Sequence, residues 1–332
     1  MTPAAPHGRI DIDTLPGPQR LARRIALHWH WARTQGVRRL IEEDQLDPFD
    51  RARGAARRWW WRQRHAVAPG SATPVFLVGL QRSGTNMTVR AFEASPEFEV
   101  HNENDRRAFD RFQLRSDRVI RSLIEHSGHR YVLFKPLCDS HRIVHLLDHL
   151  GAGSPGRAFW VYRSVDGRVR SSLAKFGDNN LQVLREIAQG RGEGMWQAQR
   201  MSADTLALIH DLDLDSTSAE TAAALFWYAR NSLYFEMGLD RRNDVMLVSY
   251  DSFVRRADEH LQAMCAFLGC EFRPETAAAI APRGASLALP LAIDPAIRLL
   301  CDGLDQRLSA AAASALRRFD ASAEADGVAA AG

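Results

Sequence analysis

The 332-residue chain is 45% hydrophobic and 25% charged, the balance of a globular protein with a substantial core and not of a disordered or fibrous chain. No apolar run approaches the roughly 18 residues of a membrane-spanning helix, and the opening MTPAAPHGRIDIDTLPG has no apolar core of a secretory signal. Four cysteines (Cys138, Cys265, Cys270, Cys301) form no CxxC pair, which argues against a zinc ribbon and fits reduced thiols of a cytoplasmic protein.

Residues 1–16 carry Pro and Gly without periodicity and are expected as a loose arm. In 18–43, Leu21, Ile25 and Trp29 recur every fourth residue, as do Leu27 and Trp31, with arginines between them. A second helix is predicted over 48–65, including RRWWWRQRH. The net charge of +3 conceals a bias here: residues 1–70 hold 13 Arg against 7 Asp/Glu. One reading of this basic segment is a patch for a membrane surface or an acidic partner; the other packs the tryptophans on the main domain and turns the arginines to water.

From residue 74 strands and helices alternate. Val75–Leu80 reads as a buried strand and 84–94 as a helix. After a polar, acidic stretch a helix is predicted around 106–127, a strand over 131–135 and a helix over 140–150. A third strand covers 157–163, a helix follows over 166–176, and polar, Gly-containing 177–200 suggests a long loop or lid. A long helix is predicted over 219–239, a fourth strand over 244–250, and a last helix through Leu268. The pattern predicts an α/β fold: a central parallel sheet covered by helices on both faces, over 71–320, after an N-terminal helical segment of 1–70. Residues 321–332 are expected as a disordered tail.

The chemistry begins at PVFLVGLQRSGTNM, residues 74–87. Gly79 and Gly84 have the spacing of a phosphate-binding loop, but Thr85 and Asn86 stand where a kinase or ATPase carries Lys and Ser/Thr. A strand-to-helix turn still favours an anion through its free N–H groups and the helix dipole. Ser83 and Thr85 add hydroxyls, and Arg82 adds a forked guanidinium. A loop lacking the lysine and the magnesium hydroxyl suits a phosphate that is anchored rather than transferred, without a metal.

A second anion site is suggested by FWVYRSVDGRVRSSL, where Arg163 ends a strand and Ser171 follows eight residues later in the next helix. Taken together, Arg82-Ser83-Gly84-Thr85 and the Arg163/Ser171 pair resemble the sulfotransferase family that uses 3′-phosphoadenosine 5′-phosphosulfate (PAPS). Here LVSYDSF, 247–253, with a helix ending in FLG, resembles the strand and helix that close that family's core, so the resemblance spans about residues 74–270. Asn86 replaces a commonly seen threonine, and Val165 stands where a proline is frequent.

The resemblance implies a P-loop-like sulfotransferase fold and metal-free transfer of a sulfuryl group from PAPS, with PAP as product. It implies that Arg82, Ser83, Gly84, Thr85 and Asn86 hold the 5′-phosphosulfate, and that Arg163 and Ser171 hold the 3′-phosphate. Arg283-Gly284 in APRGAS, 281–286, would add a C-terminal contact. The family's lysine after the second strand corresponds to Lys135, and composition adds weight: 41 of 43 basic residues are Arg, the two lysines being Lys135 and Lys175. Glu103 stands where several branches place a catalytic base. His101 competes with it, because an imidazole ordinarily titrates nearer neutrality than a carboxylate. The acceptor, a small molecule, carbohydrate or lipid, would meet 177–200 and Trp196, Trp227 or Tyr228, unless those aromatics are core. A P-loop kinase and a non-catalytic nucleotide-binding protein of this fold are the rival readings. A nucleic-acid binder has no recognition motif in its favour.

Overall fold

The structure is a computed structural model that describes residues 48–151, 153–278, 280 and 290–329. The predicted helix over 18–43 and the Arg283-Gly284 loop lie outside the described residues. The chain divides at Ala56/Arg57, and the whole sheet belongs to the second unit, Arg57–Gly332.

Helix α1, Pro48–His65, precedes β1, Thr73–Gly79, and α2, Thr85–Glu93. Next come β2, Phe98–His101, the short strands β3, Phe109–Asp110, and β4, Gln113–Leu114, and helix α3, Asp117–Glu125. Strand β5, Tyr131–Phe134, leads through a 3-10 turn, Leu137–Arg142, into α4, Ile143–His149. Strand β6, Arg157–Tyr162, is followed by α5, Val165–Phe176, α6, Asn179–Ala188, and α7, Ala203–Asp211. Helices α8, Ala219–Asn231, and α9, Leu233–Glu236, precede β7, Val245–Ser249. Helices α10, Tyr250–Arg255, α11, Ala257–Leu268, α12, Pro274–Ala278, and α13, Pro295–Ala329, complete the described chain.

The main sheet has the order β2-β5-β1-β6-β7, with every neighbouring pair parallel. Because side chains alternate along a strand, β1 feeds two cores at once. Phe76 and Val78 face one cluster with Trp160, Tyr162 and Trp227, while Val75 and Leu77 face the other with Phe159, Val161, Phe92 and Phe267. No described helix is long and apolar enough to cross a membrane.

Four sequence expectations need correction. A fifth strand, β2, lies in the stretch expected to be merely polar, because Phe98 and His101 are both buried at the sheet edge. The helix expected from 106 starts only at Asp117. Before it, Arg111 and Phe112 take φ of 48° and 67°, and two consecutive left-handed residues make the tight turn between β3 and β4. Residues 177–200 are partly helical, since Leu181, Leu184 and Ile187 place a buried stripe on α6. The tail expected to be disordered from 321 continues α13 as far as Ala329, in keeping with the helix propensity of its alanines.

Candidate active site

All five strands of the main sheet deliver residues to one carboxyl edge, the place where open α/β sheets bind ligands. After β1 the chain turns through Leu80–Ser83 and enters α2. Gly84 is the N-cap, with φ of 91°, and contributes no side-chain cap. The first-turn N–H groups of Thr85 and Asn86 therefore face outward without an intrahelical acceptor. Two glycines are dictated by close approach. A Cβ on Gly79 would lie 2.2 Å from the Val161 carbonyl oxygen, and one on Gly84 would lie 1.9 Å from the Tyr250 ring. Ser140, from the turn after β5, pins the base of the loop: its Oγ accepts from Gly79 N at 3.0 Å and donates to Gly79 O at 3.1 Å. Arg82 takes φ of 70°, an uncommon conformation for a residue with a side chain, at the tip of this loop.

Lys135, Asn86 and Glu103 converge. Lys135 Nζ donates to Asn86 Oδ1 at 2.6 Å and stands 3.0 Å from Glu103 Oε1. The lysine side chain is 9% exposed and the glutamate side chain 19%. A compact ammonium thus joins α2 to the segment after β2. His101 does not enter this group of three. It is fully buried against Phe134, with ring centroids 5.0 Å apart, and its Nδ1 meets Asp105 Oδ2 at 2.8 Å. Burial pushes the Asp105 carboxyl up, but hydrogen bonds from Arg107 and His101 prevail and hold it down at about 2. Asp105 and the rings around it thus lock His101 into the sheet.

Arg82 and Ser171 also meet: Arg82 Nε donates to Ser171 Oγ at 3.0 Å. Arg163 lies over the Tyr250 ring, 4.8 Å from its centroid, with Nε 3.8 Å from Asp251 Oδ1, too long for a hydrogen bond. The Arg163 carbonyl accepts from Trp227 Nε1 at 2.8 Å, and Ser164 N donates to Asp251 Oδ2 at 2.8 Å. Trp227 is fully buried and belongs to the core, so it leaves the group of acceptor candidates. Buried polar atoms here that lack a hydrogen-bond partner among the described residues include Ser83 Oγ, Thr88 Oγ1, Arg163 Nε and Arg168 Nε. Buried polar groups are ordinarily paired, so orphans beside an N–H cradle fit a phosphorylated ligand.

The chain is similar in structure to the crystal structure of a sulfotransferase from Alicyclobacillus acidocaldarius, at 15% sequence identity and a TM-score of 0.39, over 76% of this chain and 96% of that one. No protein-family model matches the chain, and no curated protein matches it.

Several site residues were not singled out from the sequence. Tyr250 and Asp251 open α10 right after β7; they lie within LVSYDSF, read from the sequence as part of a strand and helix of the core and not of the site. Arg168 is fully buried and pairs with no carboxylate among the described residues: its Nη1 donates to Asn180 Oδ1 and to the Ala223 carbonyl. Burial, with Arg82 nearby, pushes its guanidinium down to about 9. Its signal is periodicity, since it shares the inward face of α5 with Val165 and Ser172. On the flank, Arg230 is buried on α8 and donates to the carbonyls of Gln197 and Gln199, and its guanidinium lies 5.6 Å from the Trp196 ring. It straps the turns after α6 to the core. Cys138 receives Gln81 Nε2 at 3.7 Å, and burial, with Glu103 and Asp139 nearby, pushes its thiol up to about 12, so it remains an inert thiol.

Proposed function

We propose that the protein is a sulfotransferase that moves a sulfuryl group from PAPS to a hydroxyl or amine of an acceptor. The observation that carries this reading is the sharing of one buried lysine between Asn86 of the loop helix and Glu103, at the mouth of an N–H cradle without the Lys-Ser/Thr pair of a kinase.

When bound, PAPS supplies an activated sulfuryl group on a 5′-phosphate that departs with PAP. The residues present fit such a molecule: the side-chain-free cap at Gly84, the orphaned Ser83 hydroxyl and the orphaned Arg163 Nε are the groups a doubly phosphorylated nucleotide would satisfy. Backbone N–H groups of Thr85 and Asn86 with Ser83 and Thr85 hydroxyls would hold the 5′-phosphate. Arg163 and Ser171 would hold the 3′-phosphate, with Arg283 and Gly284 as further contacts.

Glu103 takes the proton from the acceptor as its oxygen or nitrogen bonds to sulfur, while Lys135 and Arg82 offset the negative charge that gathers on the transferred and bridging oxygens. Positioned cations of this kind are the largest single source of rate in transfers of charged groups. Glu103 is placed for its part by Lys135 itself, which holds the carboxylate on the loop side. The reaction as drawn needs no metal.

The test is a thermal-shift comparison. PAP at a hundredfold excess over its Kd should raise stability by about 2.7 kcal/mol, whereas ADP and ATP with magnesium should give smaller shifts. Stabilisation by ATP-magnesium without stabilisation by PAP would point to the kinase reading and end this one. Arg163→Ala should weaken PAP much more than adenosine 5′-phosphate.

A further inference from the structure

The basic helix before the sheet plays no part in the proposed transfer, and it has a feature of its own. Residues 57–65, RRWWWRQRH, contain four arginines and no acid. Of the three tryptophans only Trp61 turns inward, stacking on His129 with ring centroids 5.7 Å apart and planes 4° from parallel. Arg57 on the same side donates to the Ala94 carbonyl, and Val67 N donates to Gly128 O just beyond the helix. These contacts fix which face of α1 points away. On that face Trp59 is 54% exposed and Trp60 56% exposed. The two indoles meet edge to face at 5.2 Å, and Arg64 lies 5.4 Å over Trp60.

We propose that this outer face of α1, formed by Trp59, Trp60 and Arg64, docks on the surface of an anionic lipid bilayer. Tryptophan is among the more buried residue types, and two adjacent indoles at this exposure form an apolar plate that water does not favour. An indole joins a large apolar body to one N–H donor, which suits the headgroup depth of a membrane. Guanidinium groups at the rim pair with lipid phosphates, and a helix anchored by one face can lie flat with the other in the interface. A second copy fits poorly, because two such faces would bring arginines against arginines.

The full chain is mixed with vesicles of phosphatidylcholine, with or without a minority of phosphatidylglycerol, and sedimented. Binding is expected only to the anionic vesicles and should fall as salt is added. Trp59→Ser with Trp60→Ser should lower the partition at least about tenfold. Arg64→Gln should lower it about fivefold, the ~1 kcal/mol of a basic side chain at an anionic surface. Both variants should keep the parent's thermal transition, which separates loss of binding from loss of fold, and brominated lipid should quench parent fluorescence more than that of the double variant. Equal binding to neutral vesicles, or an unchanged partition for the double variant, would overturn the proposal. So would a dimer that forms without vesicles and disappears on replacing the two tryptophans.

Discussion

Gly84→Ala tests whether the loop is a cradle shaped by its neighbours. An added methyl would lie 1.9 Å from Tyr250 Cδ2, 2.4 Å from Cε2 and 2.7 Å from Cγ, deep inside any allowed contact. Tyr250 is 6% exposed and has Arg163 over its ring, so it cannot simply swing away. Relieving the overlap costs about 1–3 kcal/mol. The φ of 91° adds a second term, about 1–2 kcal/mol for an L-residue in left-handed conformation. The sum, about 2–5 kcal/mol, corresponds to a drop in Tm of roughly 5–15 °C for a domain of this size. Scanning calorimetry with and without PAP reads both consequences: the lower Tm, and a PAP-induced rise that shrinks because the shifted loop no longer presents its N–H groups. In a Tyr250→Leu background the same substitution should cost less, since only the backbone term survives intact. If Gly84→Ala melts with the parent and keeps the full PAP shift, the loop does not rest on Tyr250 and the cradle argument fails.

Lys135→Met and Glu103→Gln should each lower turnover by about 100-fold or more while the PAP thermal shift persists. Lys135→Arg should not restore activity, because a planar fork cannot reproduce one nitrogen shared at 2.6 Å and 3.0 Å; turnover near the parent's in that variant would remove the lysine from the mechanism. His260 supplies a pH dependence: burial, with Arg256 and Arg255 nearby, pushes its imidazole down to about 4. Folded protein thus binds fewer protons than unfolded protein between about pH 6.5 and 4, and stability falls as pH drops through that window, by roughly 3 kcal/mol at most. Denaturant midpoints measured across it should show a shallower acid limb in His260→Gln, and an unchanged limb would refute the assignment.

What the sequence revealed and what it concealed divide along physical lines. Strands β1, β5, β6 and β7 were legible because Val, Leu, Phe and Trp fill both faces of a covered sheet, and the loop after β1 was legible through its two glycines, at each of which a Cβ would meet a neighbour at under 3 Å. Strand β2 was not, since an edge strand with Glu99 on it looks like polar loop until Phe98 and His101 are seen buried. Helix α13 was not singled out, although Ile297, Leu304, Leu308 and Leu316 give it a buried stripe at helical spacing. Glu103, Lys135 and Asn86 were each singled out, yet separately. Their meeting depends on β2 lying beside β5, a neighbour relation that no local pattern encodes. Burial likewise separates His101, enclosed in the sheet, from Glu103, whose partly exposed side chain lies beside Lys135.

The two anion motifs were read as separate, and here the geometry says something more specific. Arg163 leaves the end of β6 and is drawn over Tyr250 at the start of α10, while Ser171 lies well inside α5, most of two helical turns further on. Arg82, from the tip of the loop after β1, reaches Ser171 at 3.0 Å, with the fully buried Arg168 nearby. Like charges in a poorly solvated place repel, and the nearness of Arg82 adds to the burial that holds the Arg168 guanidinium down. On the proposed function, an anionic group entering between the loop and α5 would meet the Arg82 guanidinium, whose Nε donates to Ser171 Oγ at 3.0 Å. The loop after β1 and the second motif are in this sense one unit, joined across the carboxyl edge of the sheet by the Arg82–Ser171 hydrogen bond.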